Sequence, residues 1–190
     1  MQNIFKSVWY IFFLLIVIFS AVSIGFFWAY YDEVHIEQSC FHIEQKIIRG
    51  YSMEPFLHEN DTVQALMKYY DCHEVERGDI VLAEYPGHEN GLIIKTIKAI
   101  PGDALTFIED KYGWHIVVNG ITLTNRQGEM YVFSESKIQL LKSYDVTGVG
   151  VVQAPWYLLM GEMPEGSSDS SRYGLFPKDM IVGKVVTAQY

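Results

Sequence analysis

Cysteine is nearly missing from this 190-residue sequence, where Cys40 and Cys72 are the whole complement. Two cysteines allow at most one disulfide, and closing a loop of about 32 residues would stabilise the fold by roughly 3 to 4 kcal/mol on the chain-entropy model. Cys40-Phe41-His42 and Cys72-His73 offer four zinc-ligand types, but the C-x-H and C-H spacings fit no common zinc module. Two unpaired thiols are the third alternative. Basic runs are also lacking. Lys and Arg number 14 against 23 Asp and Glu, a formal net charge of -9. With no cation cluster to neutralise phosphates, the composition argues against a nucleic-acid partner. Neither an internal repeat nor a low-complexity tract is present, and no residue pattern calls for a metal or a cofactor.

What the sequence does contain is one uncharged apolar run, Val8 to Tyr31, 24 residues long. At ~1.5 Å per residue a helix of that length crosses a hydrocarbon layer of ~30 Å with some tilt. Trp9, Tyr10, Trp28, Tyr30 and Tyr31 lie at its two ends, where interfacial aromatics belong. A cleaved secretory signal is the competing reading, because Ala21-Val22-Ser23 resembles a small-residue cleavage site behind Lys6. The apolar run continues through Ile24, Phe26, Phe27 and Trp28, which favours a retained anchor. Lys6 on one side and Asp32 with Glu33 on the other place everything after Tyr31 outside the cytoplasm. The expected organisation is residues 1–31 as a short N-terminal segment plus transmembrane anchor in the cell (inner) membrane, then one catalytic-sized domain over residues 32–190 on the extracytoplasmic side.

That domain reads as mainly β. Short segments rich in Val, Ile, Tyr and Phe alternate with Gly, Pro and Asn, and none sustains a 3.6-residue apolar period. His115 to Leu123, with Asn119-Gly120 between two β-favouring runs, predicts a two-residue hairpin. Thr62 to Met67, Asp79 to Tyr85, Leu92 to Ile100 and Val182 to Ala188 are further strand candidates, and Trp156 to Met160 reads as a buried strand. Ser134 to Lys142 fits either a short helix or a loop.

Two stretches carry chemistry. In Gly50-Tyr51-Ser52-Met53-Glu54-Pro55-Phe56-Leu57, Gly50 permits close backbone approach and Pro55 holds the chain in a non-helical bend, so Ser52 is presented as a nucleophile would be. A plain turn explains the octapeptide equally well. In Leu92 to Asp103, a strand ended by Pro101-Gly102, Lys95 shares a face with Ile93, Ile97 and Ala99. An ordinary lysine has a pKa of ~10.4; desolvation among apolar neighbours disfavours the ammonium and brings it toward use as a base. Lys98, on the more polar face, is the poorer candidate. The plain alternative for Lys95 is a side chain that snorkels to solvent.

These residues resemble the type I signal peptidases, membrane-bound serine proteases with a Ser-Lys dyad. Ser52-Met53-Glu54-Pro55-Phe56-Leu57 is similar to the family's S-M-x-P-T-L. Arg77-Gly78-Asp79-Ile80-Val81 with Tyr85-Pro86 resembles R-G-D-[IV]-V and the following F-x-Y-P. Lys95 falls at the lysine of K-R-x-x-x-x-P-G-D, here K-T-I-K-A-I-P-G-D. Gly161 to Arg172 resembles G-D-N-x-x-x-S-x-D-S-R, with Gly161, Ser167, Asp169 and Ser170 in register. Glu162 and Met163 replace Asp-Asn, and Arg172 comes one place late.

The resemblance implies a signal-peptidase-type β catalytic domain in which neutral Lys95 takes the proton of Ser52 and Ser52 attacks the scissile carbonyl. It implies that Ser167 hydrogen-bonds the Lys95 amine, that Asp169 braces its loop, and that Gly50 stands where some members carry an oxyanion-binding serine. The Ser52 N–H then stabilises the oxyanion. Precursor peptides with small residues at −1 and −3 would add as strands to edges beside Ser52 and beside Asp79 to Tyr85, touching Tyr51, Met53, Ile80 and Leu82. Met53 and Phe56 suit core packing at least as well. Expected partners are signal-peptide-bearing precursors, the lipid bilayer and conjugation or secretion machinery. Three other readings stand beside this one: a cytoplasmic repressor-type autoprotease, which the apolar run opposes; an inactive tethered β-domain, which the altered Gly161 to Arg172 stretch favours; and a specialised processor of pilin-like precursors.

Overall fold

The computed structural model describes residues 16–27, 40–85, 91–145, 147–163 and 167–186. By contacts the chain falls into two units, Met1–Cys40 and Phe41–Tyr190. In the first, residues 16–27 form helix α1, with Ile16, Val17, Ile18, Phe19 and Phe26 exposed along it. The hydroxyls of Ser20 and Ser23 donate to the carbonyls of Val17 and Phe19, each at 2.8 Å, so neither polar group is left open on the apolar surface. Among the described residues no helix is long and apolar enough to cross a membrane. The rest of the expected span, residues 8–15 and 28–31, lies outside the described residues, as do the expected domain boundary after Tyr31, Pro86 and the end of the last strand candidate.

The second unit is mainly β, as its composition requires. Its strands are β1 (His42–Ile47), β2 (Thr62–Met67), β3 (Ile80–Glu84), β4 (Leu92–Ala99), β5 (Leu105–Asp110), β6 (Gly113–Val118), β7 (Ile121–Thr122), β8 (Trp156–Met160), β9 (Phe176–Pro177) and β10 (Ile181–Val186). Among the described residues the unit also has two short helices, α2 (Glu135–Lys142) and α3 (Ser170–Tyr173), and two 3-10 turns. Seven strands form an antiparallel sheet in the order β1-β2-β10-β3-β4-β8-β9, and β5-β6-β7 form a second sheet. The Asn119-Gly120 expectation is met: both residues have positive φ, +51° and +81°, the handedness that matches the twist of the flanking strands. Ser134 to Lys142 resolves as a helix, because Ile138 and Leu141, one turn apart, are both buried while Ser136 and Gln139 face water.

Both faces of β3 are covered. Val81 and Ala83 pack with Ile93, Leu159 and Phe176, while Ile80 and Leu82 pack with Ile48, Met53, Val63 and Val185. A third cluster, centred on Ile116, Phe133, Leu141 and Leu158, joins the small sheet to α2 and β8. The strand that carries Lys95 is therefore supported by packed apolar layers and cannot drift relative to β3, its neighbour in register from Ile80↔Thr96 to Glu84↔Leu92.

Candidate active site

Ser52 lies in the connection between β1 and β2. The ends of this loop are tied by Ile48 N–H to Asp61 O at 2.8 Å and Asn60 N–H to Ile48 O at 3.0 Å. Within it, Gly50 adopts φ +82°, a conformation open to glycine and strained for other residues, and so turns the chain just before Ser52. Met53 then plunges into the core at 2% exposure, as does Leu57 at 4%, and the Met53 carbonyl accepts from the N–H groups of both Phe56 and Leu57 at 3.0 Å. Burying two such side chains is worth about 1.5 to 3 kcal/mol each, which holds the half-buried Ser52 between anchored neighbours.

Lys95 stands opposite Val81 in the β3–β4 ladder and is 2% exposed. Its Nζ donates to Ser52 Oγ at 2.7 Å and to the Ile94 carbonyl at 2.7 Å. Burial strips water from the ammonium and pulls the pKa down to about 8, against the smaller upward pull of the Asp169 carboxylate. A weak nucleophile thus touches an amine that can be neutral near physiological pH. Lys98 also has its pKa lowered by burial, but its Nζ contacts the Thr124 carbonyl at 3.2 Å and Glu162 at 3.5 Å instead of Ser52.

The turn after β8 closes the site from another side. The N–H groups of Glu162 and Met163 donate to the Ser52 carbonyl at 2.7 and 3.3 Å. Asp169 caps α3 by accepting from Ser171 N–H at 2.9 Å, and its second oxygen accepts from Gly161 N–H at 3.1 Å. Ser167 differs from expectation. Its Oγ is buried yet, among the described residues, makes no hydrogen bond, and the amine it was to meet is engaged by Ser52 and Ile94. It packs instead against Gly161, where an added Cβ would collide with Ser167 Oγ and lie 2.7 Å from the Ser52 carbonyl oxygen. Residues 164–166 of this stretch lie outside the described residues.

The expected substrate contacts divide. Tyr51, Met53 and Leu82 line a groove of about 490 Å³ that also includes Gly50, Ser52, Lys95 and Leu92 to Ile94. Ile80 does not; it is 7% exposed and packed in the core. The strand edge expected at Asp79 to Tyr85 is not free either, since β3 is paired with β10 on one side and β4 on the other. The open edge belongs to β4. Its partner β8 reaches only Thr96, Ile97 and Ala99, so Leu92 to Lys95 has no strand on that side among the described residues. Lys46 to Tyr51 line the same groove. The Ser52 N–H itself donates to nothing among the described residues and is available to an oxyanion.

The remaining motif residues build the frame. Arg77 donates to Asp103 through Nε at 3.0 Å and through a second nitrogen at 2.5 Å, joining the two boxes 26 residues apart. Asp79 accepts from Tyr70 at 2.9 Å and pairs with Lys184 at 2.7 Å, which fixes β3 to β10. Sequence reasoning missed Glu162 as a member of the site. It is 1% exposed, and its carboxylate accepts from Thr96 Oγ1 at 2.6 Å and Arg126 N–H at 2.8 Å. Its place beside Gly161 was visible, but its partners lie 36 and 66 residues away and carry no spacing signal. Both cysteines are disulfide-bonded.

A family model described as "Signal peptidase, peptidase S26" matches residues 6–190. Signal peptidase IB of Staphylococcus aureus (strain COL) is 28% identical over 147 residues, covering 73% of this chain and 73% of that protein. Signal peptidase I of Bacillus amyloliquefaciens is 30% identical over 141 residues, covering 72% of this chain and 70% of its own length. Among solved structures, a signal peptidase I from Enterococcus faecalis V583 aligns with a TM-score of 0.41 and 20% identity, over 60% of this chain and 98% of that one.

Proposed function

The chain belongs to the S26 family of signal peptidases, serine endopeptidases that remove signal peptides, and from that premise we propose that Ser52 is its nucleophile and Lys95 its general base. The observation that carries the assignment is one contact: a buried amine, its pKa pulled down to about 8, 2.7 Å from a serine hydroxyl. Neutral Lys95 accepts the Ser52 proton as Oγ attacks the scissile carbonyl, and the resulting ammonium returns a proton to the leaving amine. Water then takes the place of the amine and the same lysine activates it for deacylation. The Ser52 N–H stabilises the oxyanion, and Gly50 contributes no hydroxyl. Asp169 acts on the amine through its charge and on the loop through its two backbone hydrogen bonds.

The substrate enters as an extended strand between Lys46–Tyr51 and the free edge of Leu92–Lys95, with Tyr51, Met53 and Leu82 around the residues before the cut. The run from Val8 to Tyr31 serves as a single-pass anchor in the cytoplasmic membrane, with the catalytic unit outside. The oxidised state of both cysteines fits that side of the membrane. Substrates are secreted or pilin-like precursors with small residues at −1 and −3. The test is cleavage of a precursor with Ala at both positions by detergent-solubilised protein, reading product N-termini by mass spectrometry. Wild type is expected to cut once, after −1, while folded Ser52→Ala and Lys95→Ala are silent. Undiminished cleavage by Ser52→Ala would falsify the assignment, and a wild type active only on pilin precursors would narrow the substrate class.

A further inference from the structure

Three of this chain's departures from the family motifs are Phe56 where the nucleophile box has Thr, Thr96 where the lysine box has Arg, and Glu162 where the last box has Asp. They lie 40 and 66 residues apart along the chain, yet in the fold they meet around one arginine that belongs to no motif. The Arg126 guanidinium lies 4.0 Å from the centroid of the Phe56 ring. Its Nε is 3.5 Å from Glu162 Oε1, and its backbone N–H donates to Oε2 at 2.8 Å. Thr96, the residue next to Lys95, donates to the same carboxylate at 2.6 Å. Lys98 stands 3.5 Å away as a second cation. The backbone of Glu162 is committed in turn. Its N–H holds the Ser52 carbonyl, and its carbonyl accepts from Asn125 Nδ2 at 3.0 Å. The carbonyl of neighbouring Gly161 accepts from the Tyr131 hydroxyl at 2.5 Å.

We infer that Arg126 and Glu162 are positioning residues for this peptidase: together they form a brace that fixes the backbone of Ser52 relative to Lys95. The brace has two arms. One runs from the guanidinium to Phe56, four residues past the nucleophile in the same turn. The other runs through the Glu162 carboxylate to Thr96, and through the Glu162 N–H to the Ser52 carbonyl. Nucleophile and base are thereby tied to one buried charge from both sides. Loss of the motif's cation at position 96 is matched by a cation brought in from position 126, and the phenyl ring at 56 gives it a face on which to rest. Burial alone would push the Glu162 carboxyl up. The hydrogen bonds from Thr96 and the Arg126 N–H, with the charges of Lys98 and Arg126, outweigh it and keep the group ionised. A carboxylate buried to 1% exposure is tolerated only with such partners, so the cluster stands or falls as a unit.

The inference rests on the Ser52–Lys95 assignment, and the experiment separates the two. Full-length protein in detergent, with the Ala −3/−1 precursor, gives kcat, KM and the pH profile for wild type, Arg126→Met, Arg126→Lys, Glu162→Gln, Phe56→Leu and the Phe56→Leu/Arg126→Met pair. Melting temperatures show whether each variant remains folded at the assay temperature. A brace predicts that Arg126→Met lowers kcat by roughly tenfold to a hundredfold with KM little changed, since a small misplacement of reacting groups costs rate and not binding. The apparent ionisation near pH 8 stays where it is in Arg126→Met and Glu162→Gln, because neither side chain contributes to the field at Lys95. Arg126→Lys recovers part of the loss, and Phe56→Leu adds little on top of Arg126→Met. An unchanged kcat, a defect confined to KM, a displaced ionisation, or full additivity of the pair overturns the brace. Cleavage that survives in Ser52→Ala overturns the dyad, and the brace with it.

Discussion

Replacing Lys95 by Met should make the protein inactive and, at neutral pH, more stable. Lys95 is 2% exposed, and its pKa falls from 10.5 to about 8 because the folded state desolvates the ammonium. At ~1.4 kcal/mol per pKa unit, holding the charged form inside costs about 3 kcal/mol. The sign follows from proton counting. Between pH 8 and 10.5 the unfolded chain binds a proton that the folded chain does not, so wild-type stability climbs with pH through that window. The penalty is complete below about pH 8 and gone above 10.5. Methionine has the stem without the charge, and it forfeits the hydrogen bonds to Ser52 Oγ and the Ile94 carbonyl, worth roughly 1 kcal/mol each. The net expectation is a gain of about 1 kcal/mol at pH 7, or a few degrees in Tm for a domain of this size, turning into a loss of about 2 kcal/mol at pH 10.5. Thermal unfolding followed by circular dichroism, wild type against Lys95→Met across that pH range, reads the difference directly. A difference independent of pH, or a variant already weaker at pH 7, would refute the claim that Lys95 is held as a desolvated amine.

With Lys95 in the proposed role of general base, kcat/KM should rise with pH and level off above about 8, and a profile still climbing at pH 10 would contradict the lowered pKa. Asp169→Asn removes the carboxylate that opposes the lowering while retaining a side chain suited to the cap of α3, so the midpoint should move to lower pH; an unmoved midpoint rules out the charge contribution of Asp169. Gly161→Ala forces a Cβ against Ser167 Oγ and to 2.7 Å from the Ser52 carbonyl oxygen, so it should cost about 1 to 3 kcal/mol in urea unfolding together with most of the activity. Full activity in that variant would mean that the turn after β8 does not hold Ser52.

Much of this arrangement can be read from the sequence because local rules decide it. Thr62 to Met67 is a strand with the bounds its alternation implies, and Asn119-Gly120 turns as the dipeptide demands. The burial of Lys95 follows from its phase with Ile93 and Ile97, both core residues. What escapes is whatever depends on which segments become neighbours. Asp79 to Tyr85 reads as an accessible edge, but a strand from residues 181–186 lies along it, and no local pattern announces that pairing. The core position of Ile80 escapes for the same reason, since alternation shows that it faces the side opposite Val81 but not that Val63, Val185 and Leu57 already fill that side. Arg126 sits in a polar turn without a motif, and its importance arises only when Glu162 and Phe56 fold against it.

Strand order also sets a schedule for synthesis. The hairpin that carries Ser52 in its loop and the hairpin that carries Lys95 are separated within the sheet by β10, the last strand described. A chain emerging from the ribosome has made both hairpins long before residues 181–186 exist to join them. Through that interval Ser52 and Lys95 belong to two hairpins that share no ladder. The strand that brings the two hairpins into one sheet is thus the last of the described strands to be made.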